Sequence, residues 1–74
     1  MNKINLVMVK IFESGFLYEV EIMKSKLLSE GIESYIKNEY VNNVAVMPVN
    51  QNYILMVDES NADQAREILD RIEE

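Results

Sequence analysis

The sequence contains no cysteine and no histidine, and it has one proline and two glycines in 74 residues. Without cysteine there are neither disulfides nor thiolate zinc ligands, and without histidine the usual nucleophile–base pairs of hydrolases are missing. We therefore expect no catalytic residues, no metal site and no cofactor. A chain this short buries only about 60% of its unfolded surface. Oligomerisation is then the remaining common source of stability.

Basic residues and long apolar runs are also scarce. Seven Lys and Arg stand against thirteen Asp and Glu, for a net charge of −6. That balance repels phosphate backbones, so we expect no nucleic-acid partner. No apolar run approaches the roughly 20 residues of a transmembrane helix, and Lys10 interrupts the N-terminal apolar stretch, so we expect no membrane partner. With the missing cysteines, this favours a cytoplasmic protein with a single domain over residues 1–74.

Three stretches carry the residue types of β-strands. Residues 4–12 and 53–57 are apolar at both alternating sets of positions, which is typical of strands covered on both faces. Residues 32–37 alternate between apolar and polar side chains, which favours the edge of a sheet.

Two helices are predicted between and after these strands. The first lies between Ser14, which can cap its start, and Gly31, which supplies the left-handed conformation just past its end. Its buried stripe has helical spacing: Phe16, Val20, Met23 and Leu27. The second helix follows Ser60, which with Asp63 forms an S-x-x-D capping pattern. Its buried stripe consists of Ala62, Ala65, Leu69 and Ile72.

The order β-α-β-β-α restricts the topology. A right-handed crossover through the first helix leaves room for one strand between the first two, and the doubly apolar 53–57 strand fits there. The sequence therefore predicts an α+β, ferredoxin-like sandwich. Its antiparallel three-stranded sheet has the order 32–37, 53–57, 4–12, and both helices cover one face.

Two segments carry a family resemblance: KSKLLSEGI at residues 24–32 and VDESNADQAREIL at residues 57–69. They resemble the two ends of a small prokaryotic family of putative signal-transducing proteins (DUF2007-like), related in fold to PII-like regulators. In that family the first helix reads A-E-x-x-K-S-x-L before G-I, and the last helix follows a V-P-E-E-type turn. Val20 stands where the family usually has Ala, and Ser14-Gly15 replaces an Asn-Pro-like cap. The resemblance implies the fold and a regulatory role, and it brings no catalytic residues.

Residues 39–52 form a long irregular stretch, and long loops on rigid scaffolds are often functional. We expect this loop to contact a small-molecule effector or a protein partner. The residues proposed for that contact are Tyr40, Val44, Val46, Met47 and Tyr53. Tyr35, Tyr40 and Tyr53 flank this stretch. They could stack on a planar ligand, or they could pack with the ring inside and the hydroxyl in water. The alternative is a structural or assembly domain with no small-molecule ligand.

Homo-oligomerisation through the sheet is the expected mode of assembly. If the helices cover one face, then one apolar set of the 4–12 strand, Val7-Val9-Ile11 or Leu6-Met8-Phe12, is left facing outward. One set of the 53–57 strand, Ile54-Met56 or Tyr53-Leu55-Val57, lies beside it. Exposed apolar patches of this kind usually mark interfaces. A two-fold, sheet-on-sheet homodimer would bury it, and pairing through the open edge of the 4–12 strand is the other arrangement.

Overall fold

The computed structural model describes residues 7–41 and 50–72. Its elements, in chain order, are β1 (Met8–Ser14), α1 (Leu17–Ser29), β2 (Tyr35–Val41), β3 (Asn50–Asp58), a 3-10 turn (Glu59–Asn61) and α2 (Ala62–Ile72). β3 is the central strand and is antiparallel to both neighbours, in the order β1-β3-β2. The predicted α+β class, element order and strand order are confirmed. No helix in the described ranges is long and apolar enough to cross a membrane.

The strand boundaries differ from the prediction. β2 begins at Tyr35 rather than at residue 32, because the Ile32 N–H donates to the Leu27 carbonyl (2.9 Å) and so belongs to the end of α1. β3 extends beyond 53–57 at both ends, to Asn50 and Asp58. β1 continues to Ser14, and the predicted residues 4–6 lie outside the described part of the chain.

A β-bulge in β1 changes which of its side chains face the helices. Lys10 pairs with Met56 and Phe12 with the adjacent Leu55, so Ile11 is the extra residue. A bulge breaks the strict alternation of side chains. As a result, three apolar residues of β1 pack against the helix-covered core: Val9, Ile11 and Phe12. The expectation that one complete apolar set of β1 faces outward is therefore wrong.

Charged side chains occupy the open face of the sheet instead. Ile54 of β3 lies directly between Glu13 of β1 and Lys37 of β2. It is only 8% exposed although neither α1 nor α2 covers it. Long charged side chains can cover apolar surface with their methylene stems while the charged ends remain in water. This face consequently mixes charged side chains with the apolar Ile54 and with Met56, which pairs with Lys10 and Tyr35.

The start of α1 is not capped as predicted. Ser14 ends β1, and its Oγ accepts a hydrogen bond from the Phe16 N–H (3.0 Å) and donates one to Glu19 Oε1 (2.5 Å). The N-cap residue is Phe16, which makes no side-chain capping bond. Because its backbone is extended, its ring leaves the predicted stripe and is 59% exposed.

The end of α1 agrees with the prediction. Gly31 has a φ of +86°, in the left-handed region. Its N–H donates to the Leu28 carbonyl (2.9 Å), and the next N–H, that of Ile32, donates to Leu27. These two bonds form a Schellman motif, which satisfies carbonyls that the helix end would leave unpaired.

Asp58, and not Ser60, caps the last helical segment. The Asp58 carboxylate accepts a hydrogen bond from the Ser60 N–H at 3.1 Å, and the chain makes one 3-10 turn before α2 begins. α2 then contributes four buried residues to the core, three of them predicted: Ala62, Ala65, Ile68 and Leu69. The side chain of Ile72 lies outside the description.

The core lies between the two helices and the inner face of the sheet. Four side chains at its centre are fully buried: Val20, Leu27, Leu55 and Val57. Burying an aliphatic side chain of this size stabilises a fold by roughly 1.5–3 kcal/mol. Met23 of α1 packs against this cluster, as its spacing predicted.

Candidate functional site

A cleft of about 270 Å³ lies between the second half of α1 and the start of β2. We call it the α1–β2 cleft. Its lining residues come from two short segments joined by the Gly31 turn: Lys24, Leu28, Glu33, Ser34 and Tyr35. A shallower depression of about 250 Å³ shares Lys24 and Leu28 and continues along α1 to Glu21 and Ser25.

The α1–β2 cleft reaches the free edge of the sheet. Glu33, Ser34 and Tyr35 are consecutive, and successive side chains of an extended chain point to opposite sides. A cavity that is lined by all three residues must therefore extend along the edge of this segment and not lie on one of its faces. β2 pairs only with β3 among the described strands, so this edge is the one that faces away from the sheet.

Ser34 is the most informative residue of the cleft. It is 4% exposed, and its Oγ makes no hydrogen bond with any described residue. A buried hydroxyl without a partner costs about 1–3 kcal/mol, so such groups are rare unless something else satisfies them. Ser34 thus lines the cleft and carries a buried hydroxyl without a partner among the described residues.

Glu33 and Tyr35 form the outer rim. The Tyr35 hydroxyl donates a hydrogen bond to Glu33 Oε1 at 3.2 Å, while the ring is 51% exposed. This hydrogen bond, together with the negative charge of Glu33, raises the pKa of the Tyr35 phenol above 10.0. Tyr35 therefore stays protonated at neutral pH and holds the Glu33 carboxylate at the rim.

The α1 side supplies a cation and an apolar surface. Leu28 is 61% exposed, although it is a large aliphatic residue. The ion pairs within the described ranges are Lys10–Glu13, Lys37–Glu39 and Asp63–Arg66, so the Lys24 ammonium has no carboxylate within 4.0 Å there. The cleft combines a cation that makes no ion pair within the described ranges, a buried hydroxyl and an apolar side chain.

Of the residues that line this cleft, the sequence prediction named only Tyr35 as a possible ligand contact. The available signal was Ser34 itself, a polar residue at an inward position between Ile32 and Ile36. In an alternating segment that position is expected to be apolar. The second signal was Leu28, an apolar residue that the helical stripe through Val20 and Leu27 leaves unused. Neither signal alone identifies a cavity, because the cavity depends on how far α1 extends past the edge of the sheet.

The residues predicted for ligand contact fall in other places. Tyr53 is half-buried on β3, opposite Ser14 and Asn38, and packs against the core. Tyr40 lies on β2 opposite Gln51, with only its backbone described. The remaining three predicted residues, Val44, Val46 and Met47, lie outside the described residues. Their role in binding stays a prediction.

Residues 39–41 and 50–52 are strand rather than loop, because they continue the pairing of β2 with β3. The predicted 39–52 loop is therefore shorter than expected. The segment between the two strands is 42–49, which the structure does not describe.

The acidic residues elsewhere have structural roles. In the described ranges no three carboxylates come close enough to hold a metal ion. On the open face, Lys10 Nζ lies 2.8 Å from Glu13 Oε1. This hydrogen bond and the opposite charges lower the pKa of Glu13 and raise that of Lys10.

Comparison with known proteins identifies one family. The model of the DUF2007 family, whose description is "Putative prokaryotic signal transducing protein", matches residues 8–73. The match includes the α1–β2 cleft and all the described elements. Neither a curated protein nor a solved structure matches the chain.

Proposed function

The chain belongs to the DUF2007 family, described as "Putative prokaryotic signal transducing protein", and we propose that it is a cytoplasmic, non-enzymatic regulatory module that binds a small organic acid in the α1–β2 cleft. The observation that carries this proposal is Ser34, whose buried Oγ has no partner among the described residues. A ligand that accepts or donates a hydrogen bond there would remove the cost of burying that hydroxyl.

The lining of the cleft favours an anion with an apolar part. A carboxylate can take charge-assisted hydrogen bonds from the Lys24 ammonium and a further one from Ser34, and such bonds are about twice as strong as neutral ones. The exposed Leu28 side chain would cover an aliphatic part of the same molecule. Glu33 at the rim disfavours a second negative charge, so we expect a monocarboxylate.

The size of the cleft limits the ligand. Ligand pockets usually have volumes of about 300–1,000 Å³, and this cleft holds about 270 Å³. A metabolite the size of an amino acid or a short keto acid fits, whereas a nucleotide does not.

Composition supports a binding role rather than catalysis. The chain has no histidine and no cysteine, so the residues that most often serve as nucleophile or general base near neutral pH are absent. A regulatory protein that catalyses no reaction needs only that ligand binding change a surface that another protein recognises.

A thermal-shift screen of small carboxylic acids tests the proposal. A ligand present at about ten times its dissociation constant stabilises the native state by about 1.4 kcal/mol. For a domain of this size, that is a rise in melting temperature of roughly 6–11 °C. Calorimetry would then give the affinity of any ligand that raises the melting temperature.

Matched variants assign the binding to the cleft. Ser34→Ala and Lys24→Ala should each weaken binding at least tenfold, because each removes a hydrogen-bonding group that faces the ligand. Ser60→Ala and Lys10→Ala are the controls, since they delete the same atoms at exposed positions away from the cleft. Equal affinity in all four variants would remove the cleft from consideration. A screen with no stabilising ligand would favour the alternative, an assembly domain without a small-molecule ligand.

A further inference from the structure

The two edges of the sheet differ in how well they can accept another strand. β1 and β2 each pair only with β3 among the described strands, so both have a free edge. The bulge interrupts β1 between Lys10 and Phe12. Bulges at edges are one way in which proteins prevent unwanted pairing. β2 pairs with β3 over all seven of its residues without a register shift, and it contains no proline.

We propose that two copies of the chain pair through their β2 edges, antiparallel, about a two-fold axis at Asn38. The three-stranded sheet of each copy would then continue into that of the other. The two-fold axis is perpendicular to the sheet, so the helices of both copies lie on the same side. In such a pair, residues directly opposite each other point to the same face of the sheet. The axis must therefore pass at the level of a residue, which then lies opposite its own copy, and not between two residues.

The charges of β2 select Asn38 among these positions. With the axis there, Lys37 of one copy lies opposite Glu39 of the partner subunit, and the reciprocal pair forms on the other side of the axis. An axis at Lys37 or at Glu39 would instead place two like charges directly opposite each other, which is destabilising. The segment is therefore complementary to itself in this register.

The existing contacts of these two residues do not prevent the exchange. Within one chain, Lys37 Nζ and Glu39 Oε2 are 4.0 Å apart, and the side chains are 60% and 52% exposed. An exposed pair at that distance contributes little. Both side chains lie on the open face, which has no helix, so they can reach across to the second copy without displacing the core.

The other two arrangements considered for the sheet have less support. A sheet-on-sheet dimer through the open face would bury Lys10, Glu13, Lys37 and Glu39 against a copy of themselves. Desolvating charged groups without good partners is costly. Pairing through β1 has to accommodate the bulge at Ile11. β2 pairing avoids both problems and satisfies edge backbone groups that have no strand partner in the described sheet.

The paired edges also meet the α1–β2 cleft. In this register, residue 41 of one copy lies opposite Tyr35 of the partner subunit, so the end of each β2 adjoins the cleft of the other copy. A ligand in the cleft would then change the affinity between copies, and dimerisation would change the affinity for the ligand by the same factor. This coupling rests on the proposed function, whereas the dimer itself does not.

Charge exchange at the two-fold axis tests the dimer by sedimentation equilibrium at low salt. Lys37→Glu and Glu39→Lys should each raise the dimer dissociation constant at least tenfold, because two attractive pairs become two repulsive ones. The double variant restores opposite charges in the same register and should dimerise like wild type. An equimolar mixture of the two single variants should form heterodimers, since each variant then faces its complement.

The controls separate pairing from net charge. Lys26→Glu changes the net charge as Lys37→Glu does, and it should leave the dissociation constant unchanged. If net charge alone acted, Glu39→Lys would strengthen the dimer, because it makes an acidic chain less acidic. A wild type that remains monomeric at high micromolar concentration overturns the proposal, and so does a double variant that fails to recover.

A disulfide locates the axis directly. Opposed residues in antiparallel strands have Cα atoms about 4.5–5.5 Å apart, within the range that a disulfide spans. Because the chain has no cysteine, Asn38→Cys should oxidise to a covalent dimer. Asn52→Cys, on the central strand, should not. Equal cross-linking of both variants would show that collision rather than pairing joins the chains, and would count against the register.

Discussion

Replacing Gly31 by alanine tests how the chain passes from α1 to the cleft. Gly31 has a φ of +86°, and no atom lies within 4 Å of the position that a Cβ would occupy. The substitution therefore causes no steric clash with neighbouring elements. Its cost is confined to the backbone, where a residue with a Cβ in the left-handed conformation loses about 1–2 kcal/mol.

The unfolded state offsets part of this cost. Alanine reduces the conformational freedom of the unfolded chain, which stabilises the folded state by about 0.4–1 kcal/mol. The net loss for Gly31→Ala should thus be about 1 kcal/mol, or a fall of about 4–8 °C in melting temperature. Gly31→Asn should lose less, since asparagine tolerates the left-handed region, and the β-branched Gly31→Val should lose more.

Urea unfolding followed by circular dichroism measures the series, with Gly15→Ala as the matched control. Gly15 does not have a positive φ, so alanine there should leave the stability unchanged or raise it slightly. The reasoning would be refuted if Gly31→Ala were as stable as wild type, or if Gly31→Asn were less stable than Gly31→Ala. Either result would mean that α1 does not end in the Schellman motif.

Three further substitutions test the core, an ion pair and a cap. Leu27→Ala should cost about 2–5 kcal/mol, since Leu27 is fully buried; a thermal melt within a few degrees of wild type would contradict this. Lys10 lowers the pKa of Glu13 in the folded state below its ordinary value of 4.5. The ion pair therefore stabilises the fold above pH 4.5. This contribution is lost as the pH falls through the lower pKa of the folded state. The difference in free energy of unfolding between wild type and Glu13→Gln, measured in urea, should disappear as the pH falls through that value. A difference that persisted at lower pH would exclude the ion pair as its source. Asp58→Ala should cost about 0.5–2 kcal/mol and Ser60→Ala clearly less, whereas the reverse order would restore Ser60 as the cap.

The architecture could be predicted because it depends on local patterns. Helical spacing placed Val20 and Leu27 in the core, and Gly31 marked the helix end. The double apolar pattern of 53–57, together with the space that a right-handed crossover leaves between the first two strands, identified the central strand. These patterns act over a few residues, and the connection rules then leave few topologies.

The bulge in β1 could not be predicted from alternation, because it arises from pairing with β3. Ile11 and Phe12 are adjacent and both pack inward, which a regular strand does not allow. The adjacent pair of large apolar residues, followed by Glu13, was compatible with a bulge but equally with a doubly covered strand. Choosing between them requires the register Lys10–Met56 and Phe12–Leu55, which is a property of the folded sheet.

The caps and the cleft were missed for a related reason. Ser14 and Ser60 occupy sequence positions typical of N-caps, but the strands continue further than expected, so Phe16 and Asp58 take those positions. The start of β2 moved in the same way, from residue 32 to Tyr35. The shift leaves Ser34 in the connection beside α1, where it lines the cleft instead of pairing in the sheet.

The bulge and the displacement of β2 together determine where a second copy can bind. The bulge places Glu13 on the same open face as Lys10 and turns Phe12 inward, and so breaks up the apolar set of β1 that would have supported a sheet-on-sheet dimer. β2 also ends later than predicted, at Val41, so both Lys37 and Glu39 lie in a regular edge strand. Strand pairing adds backbone hydrogen bonds without requiring an exposed apolar surface, which suits a small chain with a net charge of −6. Because two exposed ion pairs select its register, such a dimer should weaken as salt concentration rises, whereas a dimer held by an apolar face would not.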